Sequence, residues 1–441
     1  MATTYLYRDA TSATSVTAAT ISCWVKKVKT GVEQHVWFSG YTADYGQYSF
    51  RINFNTDDTL RCMNDDAGVN FKLETNRKFR DTNGWYHICL ALDTSESAAD
   101  RGKLYINGVR ETSFSTDTNM SGDQFFTGKS GYRQVIGRHE GGADAYFDGL
   151  MGQYYYIDGT AYQASTFGET DADTGEWKIK TSPTVTMGTN GFLVLKNGNT
   201  ITDQSSNSND LTLGGGAVLD MKDCPSDVYA TMNSLDNYEQ GSTFTICDNK
   251  LEWNTNNKTN YSTFAMNKGK FYWEMKYANN TGGSDAMIGM SLADTRQPDD
   301  YPGHDSTAWS YYASNGNKYH SGGSSYGDSW TTNDIIGVAF DADTRTLWFS
   351  KNGVWQNSAT ISEIAAGTST NSAYTGMGSA GDWFIPCMSG YDGNKAEFNF
   401  GNGYFSTTAI SDEGTNASGV GKFEYDVPNN FTALSTKGLN I

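Results

Sequence analysis

Residues 334–355 read DIIGVAFDADTRTLWFSKNGVW. Two strand-length apolar runs, 335–340 and 346–350, flank the polar segment 341–344, where Asp and Thr are ordinary turn residues. The pattern predicts a β-hairpin. Outward from it the same grammar recurs, with further strands expected at 242–247, 270–277, 286–291 and 397–400, and only 361–366 suggesting a helical turn. The first half repeats it at 20–25, 35–38, 48–54, 84–92, 103–106, 133–136, 150–157, 192–196 and 211–213, with Asn107-Gly108 marking a tight hairpin. Many short strands without intervening helices exclude βαβ units and point to sandwiches. Cys224-Pro225-Ser226 interrupts any regular element and suggests a boundary. The expected fold is all-β, with two tandem antiparallel β-sandwich (jelly-roll) domains over 1–220 and 221–406. A C-terminal tail, 407–441, is expected to pack on the second.

Composition agrees with sheets: 48 Gly against 6 Pro, with 14% aromatics, favours turns and strands over helices. Lys plus Arg number 32 and Asp plus Glu 50, giving a net charge of −18. No basic run offsets it, so nucleic acid is not an expected partner. The longest apolar stretches are of strand length, far short of the roughly 20 residues of a membrane helix, so membrane insertion is not expected. The opening MATTYLYRD has neither a basic nor an apolar leader region, implying synthesis in a cytoplasm. Six isolated cysteines, without CxxC spacing, are expected to be reduced.

Three pieces of the first half, GWYHICLALDTS (84–95), GKLYINGVR (102–110) and QVIGRHEGGADAYFDGLMGQYYYIDG (134–159), resemble in order the laminin-G-like, concanavalin-type jelly roll. The second half resembles a SPRY domain through GKFYWEMKY (269–277), AMIGMS (286–291), the hairpin at 334–355, FIPCMSG (384–390) and FNFGNGYF (398–405). The flanks CPSDVYATMN (224–233) and KFEYDVPNNFTALSTKGLN (422–440) are similar to those of laminin-G-plus-SPRY proteins of tailed bacteriophages, marine ones especially. That resemblance implies a non-enzymatic virion surface protein, a fibre, spike or capsid appendage, made in the host cytoplasm. Its partners would be other virion proteins and a host-surface glycan or protein, and it would be a homo-oligomer. The alternatives are a purely structural decoration or fibre subunit, and a glycan depolymerase.

No catalytic residue is assigned. Jelly-roll glycanases carry their carboxylate pair on one strand as Glu-x-Asp-x-Glu or a near variant, and the Glu-x-Asp-x-Glu string itself does not occur here. The nearest acidic spacings, Glu140/Asp144, Asp171/Asp173/Glu176 and Glu424/Asp426, lie outside strands. HExxH and GxxxxGK[ST] are absent, and His87 alternates with Trp85 and Cys89 as a core histidine would. No cofactor is expected, with Asp144 and Asp148 as the candidate ligands should Ca2+ bind. Aromatics between the strands supply the candidate binding residues. They are Tyr41, Tyr45 and Tyr146 in Gly/Asp-rich loops, and Tyr301, Trp309, Tyr311 and Tyr312 in the long insertion 294–330.

Overall fold

The structure is a computed structural model that describes all residues except 1–2, 13–15, 42, 44–46, 120–123, 142–144, 173, 197, 199 and 441. It divides into two compact units, Met1–Asp220 and Met221–Ile441.

In the first unit, period-two alternation builds two facing antiparallel sheets. Ile21, Cys23 and Val25 of the Ala18–Lys27 strand pair across register with Leu90, Ile88 and Tyr86 of Tyr86–Asp93. Their inner side chains meet Phe50, Ile52 and Phe54 of the opposite sheet in one core. The larger sheet runs Phe114–Thr118, Val69–Lys78, Thr59–Asp66, Tyr48–Phe54, Gln34–Tyr41, Tyr132–Ile136, Tyr5–Asp9, Thr212–Gly215. The strands Thr59–Asp66 and Val69–Lys78 are not among the expected ones, although Arg61, Lys72 and Glu74 alternate there with the core residues Leu60, Cys62, Phe71 and Leu73. Phe167 and Trp177 cover the outer face of the smaller sheet against Cys89, Tyr105, Tyr155 and Leu193.

The second unit is again two antiparallel sheets. The hairpin lies where its pattern places it, Ile335–Asp341 pairing with Thr346–Lys351. Buried Asp341 closes the turn by accepting the N–H groups of Asp343 (3.0 Å) and Thr344 (3.1 Å), while Lys270 Nζ lies 3.1 Å from its other oxygen. Alternation sends Phe271, Trp273 and Met275 into the main core and Tyr272 to the outer face, where Ala339 and Trp348 join it. The tail covers that face with Val420, Phe423, Val427 and Phe431, and residues 432–433 add a short parallel strand beside Lys270–Asn280. Residues 228–230 clasp the tail through Ala230 N–H to Leu434 O and Thr436 N–H to Val228 O, both 2.9 Å.

The insertion 294–330 departs from expectation. It is not a free loop: Ala308–Tyr312 is a strand hydrogen-bonded to Met287–Leu292, with Lys318–Tyr319 and Gly323–Ser324 following it at the sheet edge. Trp309 and Tyr311 point inward, 5% and 0% exposed, among the core residues. The Gly/Ser/Asn content that resembled a binding loop instead supplies the turns of two very short edge strands.

Candidate recognition groove

A groove lined by the predicted binding residue Tyr41 lies at one end of five consecutive strands of the larger first-unit sheet. Tyr41 closes Gln34–Tyr41, and Tyr132 opens the neighbouring strand as its register partner, which brings their rings to 5.6 Å. Tyr48 opens the next strand opposite Asp66, which closes Thr59–Asp66, and Asn70 is the second residue of the neighbouring Val69–Lys78. Residues 124–131 complete the wall. Asn64, fully buried, accepts the N–H of Phe126 at 2.9 Å and donates to Asn70 Oδ1 at 2.8 Å, so one side chain holds both walls. Gly131 takes φ +81°, turning the chain from the wall into the Tyr132 strand.

The groove encloses about 490 Å³ and is lined by Tyr41, Tyr48, Asp66, Asn70, Phe126 and Tyr132, with Gln124, Lys129 and Ser130. Tyr41 is 41% exposed and Tyr132 only 4%, so one ring faces solvent and the other backs it. Phe126 packs on Tyr132 at 5.3 Å and meets Tyr48 edge-on at 6.2 Å. Burial, helped by the charge of Asp66 and the neighbouring Tyr48 and Tyr41, pushes the Tyr132 hydroxyl up to about 12, keeping it a neutral donor. Lys129 Nζ stands 5.3 Å from the Phe126 ring and 5.8 Å from Tyr132, and donates to Gln124 Oε1 at 3.3 Å.

Of the other predicted binding residues, Tyr45 lies outside the described residues, as does Asp144. Tyr146 is elsewhere on the same unit, its ring 6.2 Å from Tyr5 with the Arg138 guanidinium 5.3 Å above it. Trp309 and Tyr311 are corrected to core residues: Trp309 stacks on His320 at 4.7 Å, and the Tyr311 hydroxyl donates to the Asp328 carbonyl. Tyr312 is partly exposed and donates its hydroxyl to Asp285. Tyr319 links it to Tyr301, at 5.5 and 6.3 Å, in a half-exposed tyrosine row. Asp148 pairs with Lys29 at 2.5 Å, and Glu140 lies 3.5 Å from Arg133 and 3.7 Å from Arg138. Among the described residues no group of three or more His, Cys, Asp or Glu side chains is arranged to hold a metal.

One buried pair has the look of a catalytic dyad. Ser22 Oγ lies 2.8 Å from His87 Nε2, and the Trp177 indole N–H donates to His87 Nδ1 at 3.0 Å. Because an indole can only donate, Nδ1 is the acceptor and the proton sits on Nε2, which donates to Ser22. Burial holds His87 down at about 3, and Trp24 stacks on the ring at 4.9 Å while Trp177 bonds to its edge. A histidine fully buried, neutral and already donating to the serine is not placed to take its proton.

Sequence reasoning picked out Tyr41 but missed the rest of the groove. Tyr48 reads as a strand residue, Tyr132 falls just outside the strand expected at 133–136, and Asp66, Asn70, Phe126 and Lys129 lie in segments where no strand is expected. The available signal was positional: aromatic and amide residues at the ends of strands adjacent in the sheet.

Residues 2–156, which contain the whole groove, match the concanavalin A-like lectin/glucanases superfamily, and residues 270–403 match the SPRY domain. Among solved structures, the chain is similar to the SPRY domain of human HERC1, at 22% identity over 34% of this chain and 87% of that one, with a TM-score of 0.27. It is similar also to a human SPRY domain, at 15% identity over 36% and 94% with a TM-score of 0.27. The TRIM65 PSpry domain matches at 11% identity over 38% and 91%, with a TM-score of 0.30. The chain thus carries, in order, a match to the concanavalin A-like lectin/glucanases superfamily in its first β-sandwich unit and a match to the SPRY domain in its second.

Proposed function

We propose that this protein is a non-enzymatic binding protein of a virion surface, and that the groove at Tyr41 and Tyr132 takes a sugar ring of a host-surface glycan. The groove carries the proposal. A solvent-facing Tyr41 backed by Tyr132 offers a flat apolar platform for the C–H face of a pyranose. Asp66, Asn70 and Gln124 stand around it as hydrogen-bonding groups for the hydroxyls, which is the mixture of apolar wall and few polar groups that a small-ligand site needs. An open site of this size binds weakly alone. Repetition on a symmetric particle would multiply the affinity by orders of magnitude through effective concentration.

The virion setting is supported by the phage-like flanks 224–233 and 422–440, which meet in the clasp on the SPRY domain. A binding protein is also what the two domain types suit. Saturation-transfer NMR of the purified chain with host polysaccharide fragments tests the site: transfer to sugar ring protons, lost in Tyr41→Ala, supports it. No transfer from any fragment, or transfer unchanged in the variant, refutes it. Particle imaging that finds the groove buried against a neighbouring subunit would favour a purely structural role.

A further inference from the structure

Taking the groove as a sugar site, we infer that its ligand is an acidic sugar, a pyranose bearing a carboxylate that Lys129 receives. The chain carries 50 acidic and 32 basic residues, and several of its lysines pair with carboxylates. Lys258 contacts both Glu239 and Asp299, and Lys103 both Glu96 and Asp100. Lys129 differs. Its ammonium is held above two aromatic rings and donates to the Gln124 amide oxygen, with no carboxylate at ion-pair distance among the described residues. Asp66 lines the same groove yet forms no ion pair with it.

The groove therefore presents one cation and one anion, each open to a ligand, beside an aromatic platform. A neutral sugar would give its hydroxyls to Asp66 and Asn70 but offer the ammonium nothing better than the water it displaces. A cationic ligand would meet Lys129 head-on. A carboxylate-bearing pyranose satisfies both, its acid group accepting from Lys129 and its hydroxyls donating to Asp66. The net charge of −18 does not forbid this, because at physiological salt the charges beyond roughly 8 Å are largely screened and the groove's own groups decide. Two common sources carry this chemistry, hexuronates of polysaccharides and nonulosonates of glycan termini.

The test is calorimetric or NMR titration of the full chain with tetragalacturonate against galactotetraose, and with sialyllactose against lactose. At least one acidic ligand should bind roughly tenfold tighter than its neutral counterpart, and the margin should shrink as salt rises. Lys129→Gln should remove the margin and Lys129→Arg keep it, with melting temperatures matching the wild type to show that both variants fold. Whichever acidic arm shows the margin names the source. Equal affinity for acidic and neutral forms, or a margin that survives Lys129→Gln, overturns this inference while leaving the sugar site standing. Failure of all four ligands, together with no effect of Tyr41→Ala on any titration, overturns the sugar site itself.

Discussion

Buried Glu274, at the centre of the Lys270–Asn280 strand, accepts the backbone N–H of Tyr425 at 2.9 Å across a sequence separation of 151 residues. The N–H of Glu424 (2.9 Å), the Tyr272 hydroxyl (3.0 Å) and the Asn399 amide (3.2 Å) complete its shell. All four donors are neutral. Asn399, register partner of Glu274, also donates to the Lys422 carbonyl, so this acid and amide together bolt the tail to the sheet.

Burial is the main cause that raises the Glu274 carboxyl from 4.5 to about 7, the four hydrogen bonds only partly opposing it. A carboxyl whose pKa is higher folded than unfolded binds its proton more tightly in the folded state. Its contribution is full below about 4.5 and is lost as pH rises to about 7. Urea melts between pH 4 and 8 should show a falling component, of the order of 3 kcal/mol, that is missing in Glu274→Gln. Parallel pH profiles for the two proteins would refute it.

The Trp177 to His87 hydrogen bond predicts that Trp177→Phe destabilises by about 1–3 kcal/mol, since the ring packing is largely retained while a buried nitrogen loses its donor. The His87 pKa, held down at about 3, adds a pH signature. A histidine lowered on folding contributes fully above about 6.5 and loses that contribution as pH falls toward 3, so wild-type stability should drop on acidification in that window. His87→Gln should flatten part of that drop in a pH series of denaturant melts.

Trp309→Ala and Tyr311→Ala should each cost roughly 3–5 kcal/mol, as core aromatics do. Tyr41→Ala should stay within about 0.5 kcal/mol. Thermal melts of the three variants compare them directly, and a Trp309 variant melting with the wild type would contradict its place in the core.

None of the six cysteines forms a disulfide, and only Cys224 is partly exposed. A thiol reagent should modify one cysteine quickly in the native protein and six in denaturant. Burial pushes the Cys23, Cys62, Cys89 and Cys387 thiols up, which slows them further because the thiolate is the reactive form. Two or more fast thiols in the folded protein would show that the outer layers open readily.

The tail's apolar contacts predict that Phe423→Ala loosens the second domain by roughly 3–5 kcal/mol. Hydrogen exchange should then rise over residues 411–434. Unchanged protection there would mean that the polar bolt at Glu274 holds the tail without the apolar layer.

The sequence by itself determined the class of fold, because period-two apolarity and turn residues act locally: runs such as 335–340 and 346–350 show a hairpin to anyone who counts alternation. It also determined the order of the two domains, through ordered motifs on either side of Cys224-Pro225. Tertiary structure decided what alternation cannot express. Trp309 and Tyr311 sit in polar, glycine-rich surroundings that mimic a loop, and only pairing with Met287–Leu292 turns them inward. Glu274 is one acid among 50 until residues some 150 positions away fold over it. The groove, too, exists only as a juxtaposition. Tyr41, Asp66 and Tyr132 are far apart in the chain, and hydrogen-bonded register between neighbouring strands is the physical cause that brings their side chains to one rim.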